Sequence, residues 1–207
     1  MTERTKPVAT ADAQAPSGPK REILKAAIQL MRQSGLSGAG INQIIAHSGA
    51  PKGSMYHYFP GGKRQLISEA LALYRDSVAR GFDVALSSKT KPQEKVQALF
   101  GYVAEHLERS RFERGCAVGA VALGLNPESS EMRDEVAAIL AFWSEVIARH
   151  LPVRSKARRE SLAGLMMSAI EGAYIRGRAA RSAAGLREAG DWMAQLVAAE
   201  VGTEAKT

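Results

Sequence analysis

Residues 49–63 read GAPKGSMYHYFPGGK. Tyr56, Tyr58 and Phe59 fall within four positions, His57 stands among them, and Lys52 and Lys63 lie on either side. Glycine bounds the block at Gly49 and again at Gly61 and Gly62. Alone, such a segment fits an aromatic core helix, a nucleotide-binding loop or a surface that meets nucleic acid. The residues before it decide among these. In GAGINQIIAHSG (38–49), Ile41, Ile44 and Ile45 share one face of a short helix. Gly49 ends that helix in the left-handed conformation that glycine adopts cheaply, and Pro51 suits the start of another. A connection of about two residues forces a sharp bend and brings the two apolar faces together.

Further upstream, Leu24, Ala27, Ile28 and Met31 follow the i, i+3, i+4, i+7 spacing of an amphipathic helix over 20–34. Pro19 suits its first turn, Ser17 can cap it, and Gly35 stops it. Residues 1–18 carry no periodicity and read as a flexible tail. The front third is thus a helix over 20–34, a helix over 41–48, a glycine turn and a short helix over 51–58. This is a helix-turn-helix on a supporting helix.

In such a unit the second helix lies in the major groove of duplex DNA, its N-terminal end toward the bases. Gly53 lets the backbone approach phosphates closely. Ser54 can hydrogen-bond a base edge or a phosphate, and Lys52 can reach a phosphate or the acceptors of a guanine. Tyr56 and Tyr58 carry hydroxyls on rigid rings, suited to donating to phosphate oxygens. Met55 and Phe59 are expected in the core. Lys63 stands where the next helix begins and its free N–H groups favour an anion.

Charge agrees with this placement. The 207 residues carry a formal net charge of +7, and residues 1–66 hold nine Lys+Arg against three Asp+Glu. Residues 67–207 hold nineteen against eighteen, so nearly all the excess lies in the front module. A basic module on a neutral body points to a polyanionic partner. With 45% apolar residues the chain can bury a real core. Cys116 is the sole cysteine, so no intramolecular disulfide forms and a reducing compartment is favoured. The first nineteen residues do not read as a secretory signal. The longest apolar stretch, CAVGAVALGL (116–125), is half what a membrane span needs. The expectation is a soluble, cytoplasmic protein with no membrane partner.

The rear reads as helices over 63–86, from about 92 to 109, and over 129–151, 154–182 and 186–201, with a glycine-containing segment at 115–127. That makes an all-α chain of eight or nine helices, divided as tail 1–18, helix-turn-helix 19–66 and helical ligand-binding and dimerisation domain 67–207. Phe100, Tyr102, Phe142, Trp143, Met166, Met167 and Tyr174 are bulky candidates for a ligand pocket, although such stripes at helical spacing commonly serve as core. Glu171 sits in an apolar helix stretch. If buried it needs a partner such as an arginine or a ligand hydroxyl; on an exposed stripe it has no special role. Gly164, Gly172 and Gly177 cost helix propensity, which a close helix contact would offset, so the last two helices are the expected dimer interface.

GINQIIAHSGAPKGSMYHYF (40–59) resembles the DNA-binding domain of the TetR family of bacterial transcriptional repressors. Pro51 and the Pro60–Gly61–Gly62 insertion resemble its LmrA/YxaF branch, with looser echoes at GCAVGAVAL (115–123) and AIEGAYIRGRA (169–179). The resemblance implies a homodimer on a palindromic double-stranded DNA operator, released when a small-molecule inducer enters the rear domain. It implies DNA contacts at Lys52, Gly53, Ser54, Tyr56, His57 and Lys63, with Asn42 near the backbone. Pro51 has neither an N–H nor a hydroxyl, so it cannot make the phosphate bond of a serine there. The inducer is expected to be apolar or aromatic.

Enzyme chemistry finds no footing. His47, His57, His106 and His150 lack metal-ligand spacing, and no phosphate-cradling loop, dinucleotide fingerprint or nucleophile elbow occurs. No cofactor is implied. A regulator switched by a protein partner, and a helical interaction protein with no DNA role, remain as other readings of the residues.

Overall fold

The computed structural model describes residues 18–126 and 129–204, so Ser17, Pro127 and all of the expected tail but Gly18 lie outside the described residues. Every element among the described residues is helical: α1 (Gly18–Gly38), α2 (Ile41–Ser48), α3 (Lys52–Tyr58), α4 (Gly62–Ser87), α5 (Pro92–Arg109), α6 (Ala117–Leu123), α7 (Ser130–His150), α8 (Lys156–Ala180) and α9 (Ala184–Glu204). The expected boundaries recur within a few residues, with two differences. Gly35, at φ 68° and ψ −164°, kinks α1 rather than ending it, and a further turn runs on to Gly38. The glycine-containing segment holds a helix of its own, α6. Cys116 caps it, the thiol sulfur accepting from the backbone N–H of Gly119 at 3.4 Å.

Ile23, Leu24, Ala27 and Met31 of α1 are buried together with Ile44 and Ile45 of α2, Met55 of α3, Phe59, and Leu66 and Ile67 of α4. Phe59 is the largest of these side chains. Phe59 is fully buried, and the ammonium of Lys20 lies 5.4 Å from its ring centroid.

The rear is a helical bundle in which α5 packs along α9 and α7 along α8, while α4 crosses from the front core to contact α5 and α7. Among the glycines that permit close helix approaches are one on α9 and one on α8. Gly190 faces the Phe100 side chain, and Gly177 faces Leu107. The bulk lost at Gly177 therefore serves a contact within the chain. Gly172 and Gly164 meet nothing within 4 Å.

Front and rear are stitched by polar contacts. Arg64 of α4 lies 3.6 and 3.4 Å from Glu131 and Glu135 of α7, and the Ser68 hydroxyl donates to Glu135 at 2.9 Å. Arg32 of α1 donates through Nε to the Gly115 carbonyl at 2.8 Å, and the Gly115 N–H returns a bond to the Arg32 carbonyl at 2.9 Å. Arg178 of α8 donates to the carbonyls of Gln33 and Glu113 at 3.1 and 3.2 Å.

Candidate nucleic-acid interface and ligand cavity

The turn between α2 and α3 is built locally. Gln43 Oε1 accepts from the Gly40 N–H at 3.1 Å, closing the start of α2. Gly49 stands at φ 67°, ψ 7°, the left-handed geometry the sequence called for. The Ser48 hydroxyl donates to the Ile45 carbonyl at 3.0 Å and accepts from the Ala50 N–H at 3.2 Å. Pro51 gives up no needed donor, and its carbonyl accepts from Ser54 N at 2.9 Å to open α3.

Met55 anchors the inner face of α3 in the front core. Its outer face carries Lys52, Gly53, Tyr56 and His57, all exposed, with Ser54 half-buried. Tyr56 is 72% exposed, so hydrophobic packing does not explain the ring. Nothing lies within 4 Å of a Cβ built on Gly53. Asn42 is exposed in the first turn of α2. Two other residues stand differently. Tyr58 is half-buried, packed against the core and edge-on to His57 at 4.8 Å, so its ring is not free in the way that of Tyr56 is. Lys63 is half-buried, its ammonium 3.4 Å from the Leu36 carbonyl, where it links the start of α4 to the end of α1.

A cleft of about 340 Å³ lies between α1 and the helices of the rear. Of the pocket candidates, Tyr102, Trp143, Met167, Glu171 and Tyr174 line it; Phe100, Phe142 and Met166 do not. Phe100 is spent on the α5–α9 contact, Phe142 lies under the guanidinium of Arg75 at 5.3 Å, and Met166 is fully buried. The cleft also draws on residues that periodicity did not single out: Tyr74 and Phe82 of α4, and Arg32 of α1. The rings form edge-to-face pairs, Tyr74 to Trp143 at 5.9 Å and Phe82 to the half-buried Tyr102 at 6.3 Å. The Trp143 indole N–H donates to the Arg75 carbonyl at 2.9 Å, which fixes the ring.

Glu171 and Cys116 form the wall between this cleft and a second, more open groove of about 700 Å³ under α6 and α8. A Cβ on Gly119 would collide with the Glu171 carboxylate, so the glycine makes room for the acid. Glu171 is half-buried and makes no ion pair with an arginine among the described residues; its partner is the Cys116 thiol. Burial pushes the Glu171 pKa above the ordinary carboxyl range, and the thiol hydrogen bond only partly offsets this. Burial likewise raises Tyr74 and Cys116 well above their usual values and lowers His106. The two rear stretches singled out by resemblance, 115–123 and 169–179, thus meet at one place in the fold. No group of three or more His, Cys, Asp or Glu that could hold a metal occurs among the described residues, and no described helix is long and apolar enough to cross a membrane.

A helix-turn-helix whose second helix exposes its outer face, joined to a helical bundle, is the architecture of a transcriptional regulator. The chain belongs to the TetR family of bacterial transcriptional regulators, in its LmrA/YxaF-like group. Residues 23–70 match the family of bacterial regulatory proteins named after TetR, and residues 92–192 match the C-terminal domain of LmrA/YxaF-like regulators. The transcriptional regulator YxaF of Bacillus subtilis is 33% identical, the match covering 75% of this chain and 83% of that protein. The regulator LmrA of the same organism is 31% identical over 75% and 84%. Among solved structures, a cysteine-substituted form of the TetR-family regulator CifR in complex with 26-bp double-strand operator DNA superposes with a TM-score of 0.74 at 20% identity, covering 88% of this chain and 98% of that one.

Proposed function

We propose that the chain is a ligand-responsive repressor that binds a palindromic operator as a homodimer and is released by a small apolar or aromatic inducer. The observation that carries this is the outer face of α3: a hydroxyl, an imidazole, an ammonium and a bare glycine backbone, all exposed, on a helix whose other face is anchored by Met55. On this reading Lys52, Gly53, Ser54, Tyr56 and His57 meet the DNA directly, Asn42 lies near the backbone, and Lys63 adds positive charge where α4 begins. Residues 19–66 form the DNA-binding unit and 67–207 the ligand-binding and dimerisation unit. The CifR complex supports the DNA partner by likeness of fold.

An exposed stripe of α8, Leu165, Ser168, Gly172, Ile175 and Ala179, recurs at helical spacing beside an exposed stripe of α9 that includes Trp192 and Leu196. Trp192 is 60% and Ile175 59% exposed, more apolar surface than a solvent-facing helix pair needs. A second copy of the chain covers these stripes in the dimer. Sedimentation of the wild type and of Ile175→Glu tests this, with the variant expected to be monomeric. Selection of genomic fragments on the purified protein, followed by salt-dependent gel shifts on the enriched site, tests the function. The expected site has two-fold symmetry, and affinity falls steeply with salt. Enrichment of no sequence, with salt-insensitive capture of a protein instead, would overturn the reading.

A further inference from the structure

The cleft has two chemically different ends. Its buried end is aromatic: Trp143, Phe82, Tyr74 and Tyr174 are each less than a tenth exposed. Its open end is cationic, lined by Arg21, Lys25, Arg32, Arg80 and Arg114. The only acid among the described lining residues is the half-buried Glu171. Lys25 has a surface pairing with Glu22 at 2.8 Å, but Arg21, Arg32, Arg80 and Arg114 make no ion pair among the described residues. Arg32 is the most prepared of them. Its Nε is fixed by the Gly115 carbonyl, its guanidinium lies 5.7 Å from the Tyr74 ring centroid, and its two terminal nitrogens make no further hydrogen bond among the described residues. A guanidinium oriented in this way, with both terminal donors unspent, matches a planar acid group. Several cations around a partly desolvated cleft favour an anion over a neutral molecule of the same shape.

We propose that this cleft takes an aromatic anion, its ring system seated against Trp143, Phe82 and Tyr74 and its acid group held by Arg32 with the neighbouring cations of α1. The proposal rests on the ligand-responsive reading and adds to it the charge of the ligand and the element that feels it. Arg21, Lys25 and Arg32 recur at i, i+4 and i+11 on one face of α1, while Leu24, Ala27 and Met31 on an adjacent face pack the core that carries α3. A bound anion therefore pulls on the helix that supports the reading head. The signal then has a direct path to α3 that does not require the length of α4 as a lever.

The test uses a matched pair of probes, 8-anilinonaphthalene-1-sulfonate and its uncharged parent N-phenyl-1-naphthylamine, titrated against the full chain by fluorescence, with operator binding measured in the same samples. The sulfonate should bind more tightly than the parent. Arg32→Gln should weaken it by about tenfold or more, the scale of a lost hydrogen bond to a charged group, and leave the parent within about twofold. Because Arg32 also ties Gly115 to α1, the double change Arg21→Gln with Lys25→Gln, on exposed side chains, repeats the measurement without disturbing packing. The control pair Lys89→Gln with Arg149→Gln, exposed and away from the cleft, should change neither probe.

Equal affinity of the two probes, equal loss of both in the variants, or equal loss in the control pair overturns the assignment of charge. If the neutral parent still releases the operator in that case, the ligand-responsive reading stands without it. If neither probe binds, both fall, and operator binding in the same samples shows that the DNA-binding unit is intact.

Discussion

The reading head and the cleft are built on opposite plans. The head is a short stretch of chain, α2 to α3, whose outward side chains owe their positions to their immediate neighbours: Gly49 sets the bend, Ser48 ties the turn, and Met55 fixes which face of α3 looks out. The cleft is assembled from side chains as far apart as Arg21 and Tyr174, on α1, α4, α5, α7 and α8. A local site tolerates change in the rest of the molecule so long as its small core holds. A distributed site changes whenever any of its helices shifts, which makes it suited to sensing.

The hardest test of that contrast is Phe59→Ala. Phe59 is fully buried where α1, α3 and α4 meet, and removing it should cost about 3–5 kcal/mol. Operator binding should disappear at ordinary temperatures, while the emission of buried Trp143 stays native because α5, α7, α8 and α9 pack chiefly on one another. Collapse of the Trp143 signal in the same melt would show that front and rear fold as one unit, and the contrast would fail.

A smaller effect is expected from Tyr56→Phe. The hydroxyl belongs to a ring that is 72% exposed, so thermal stability should not move. A lost hydrogen bond to a charged phosphate is worth roughly 1.5–3 kcal/mol, or at least about tenfold in operator affinity by gel shift. Unchanged affinity would remove Tyr56 from the interface. Gly53→Ala should come next. The site is open and alanine is the better helix former by about 1 kcal/mol at an interior position. The free protein should therefore be unharmed or slightly stabilised, and operator affinity should fall several-fold if backbone meets phosphate there. A variant that is both more stable and equally tight would show that the bare backbone has no such role.

The same contrast explains what the sequence could disclose. The helices of the front third are legible because their periodicity, glycine stops and proline start are all local signals, and Met55 and Phe59 lie in the core as expected. Gly35 signals a stop, yet α1 bends there and resumes for a turn to Gly38. The short α6 was hidden because seven residues of Ala, Val, Gly and Leu carry too little periodic contrast. In the cleft, aromatic bulk marked Tyr102, Trp143 and Tyr174, but the same signal marked Phe100, which faces Gly190, and Phe142, which lies under Arg75. Bulk at helical spacing does not distinguish a wall from a core. Tyr74 and Arg32 gave no signal at all, since each lies in a helix whose regular pattern accounted for it without the cleft.

Glu171 offers the finest test, because it joins the two plans: it lines the distributed cleft, and its carboxylate is accommodated by the single residue Gly119. Burial raises its pKa in the folded chain above its value in the unfolded one. Over the interval between those two values the folded state holds the proton more strongly, so folding stability declines as pH rises from the ordinary carboxyl range through the raised value and stays lowered above it. Glu171→Gln has no proton to lose. Its melting temperature should therefore exceed that of the wild type at pH 8, with the gap closing as pH falls below about 4.3, the ordinary value for a glutamate. A gap independent of pH would mean that the carboxyl matters by shape alone. A wild type that is the more stable at pH 8 would mean that the charged form has a favourable partner in the cleft, and the cationic rim would be the place to look for it.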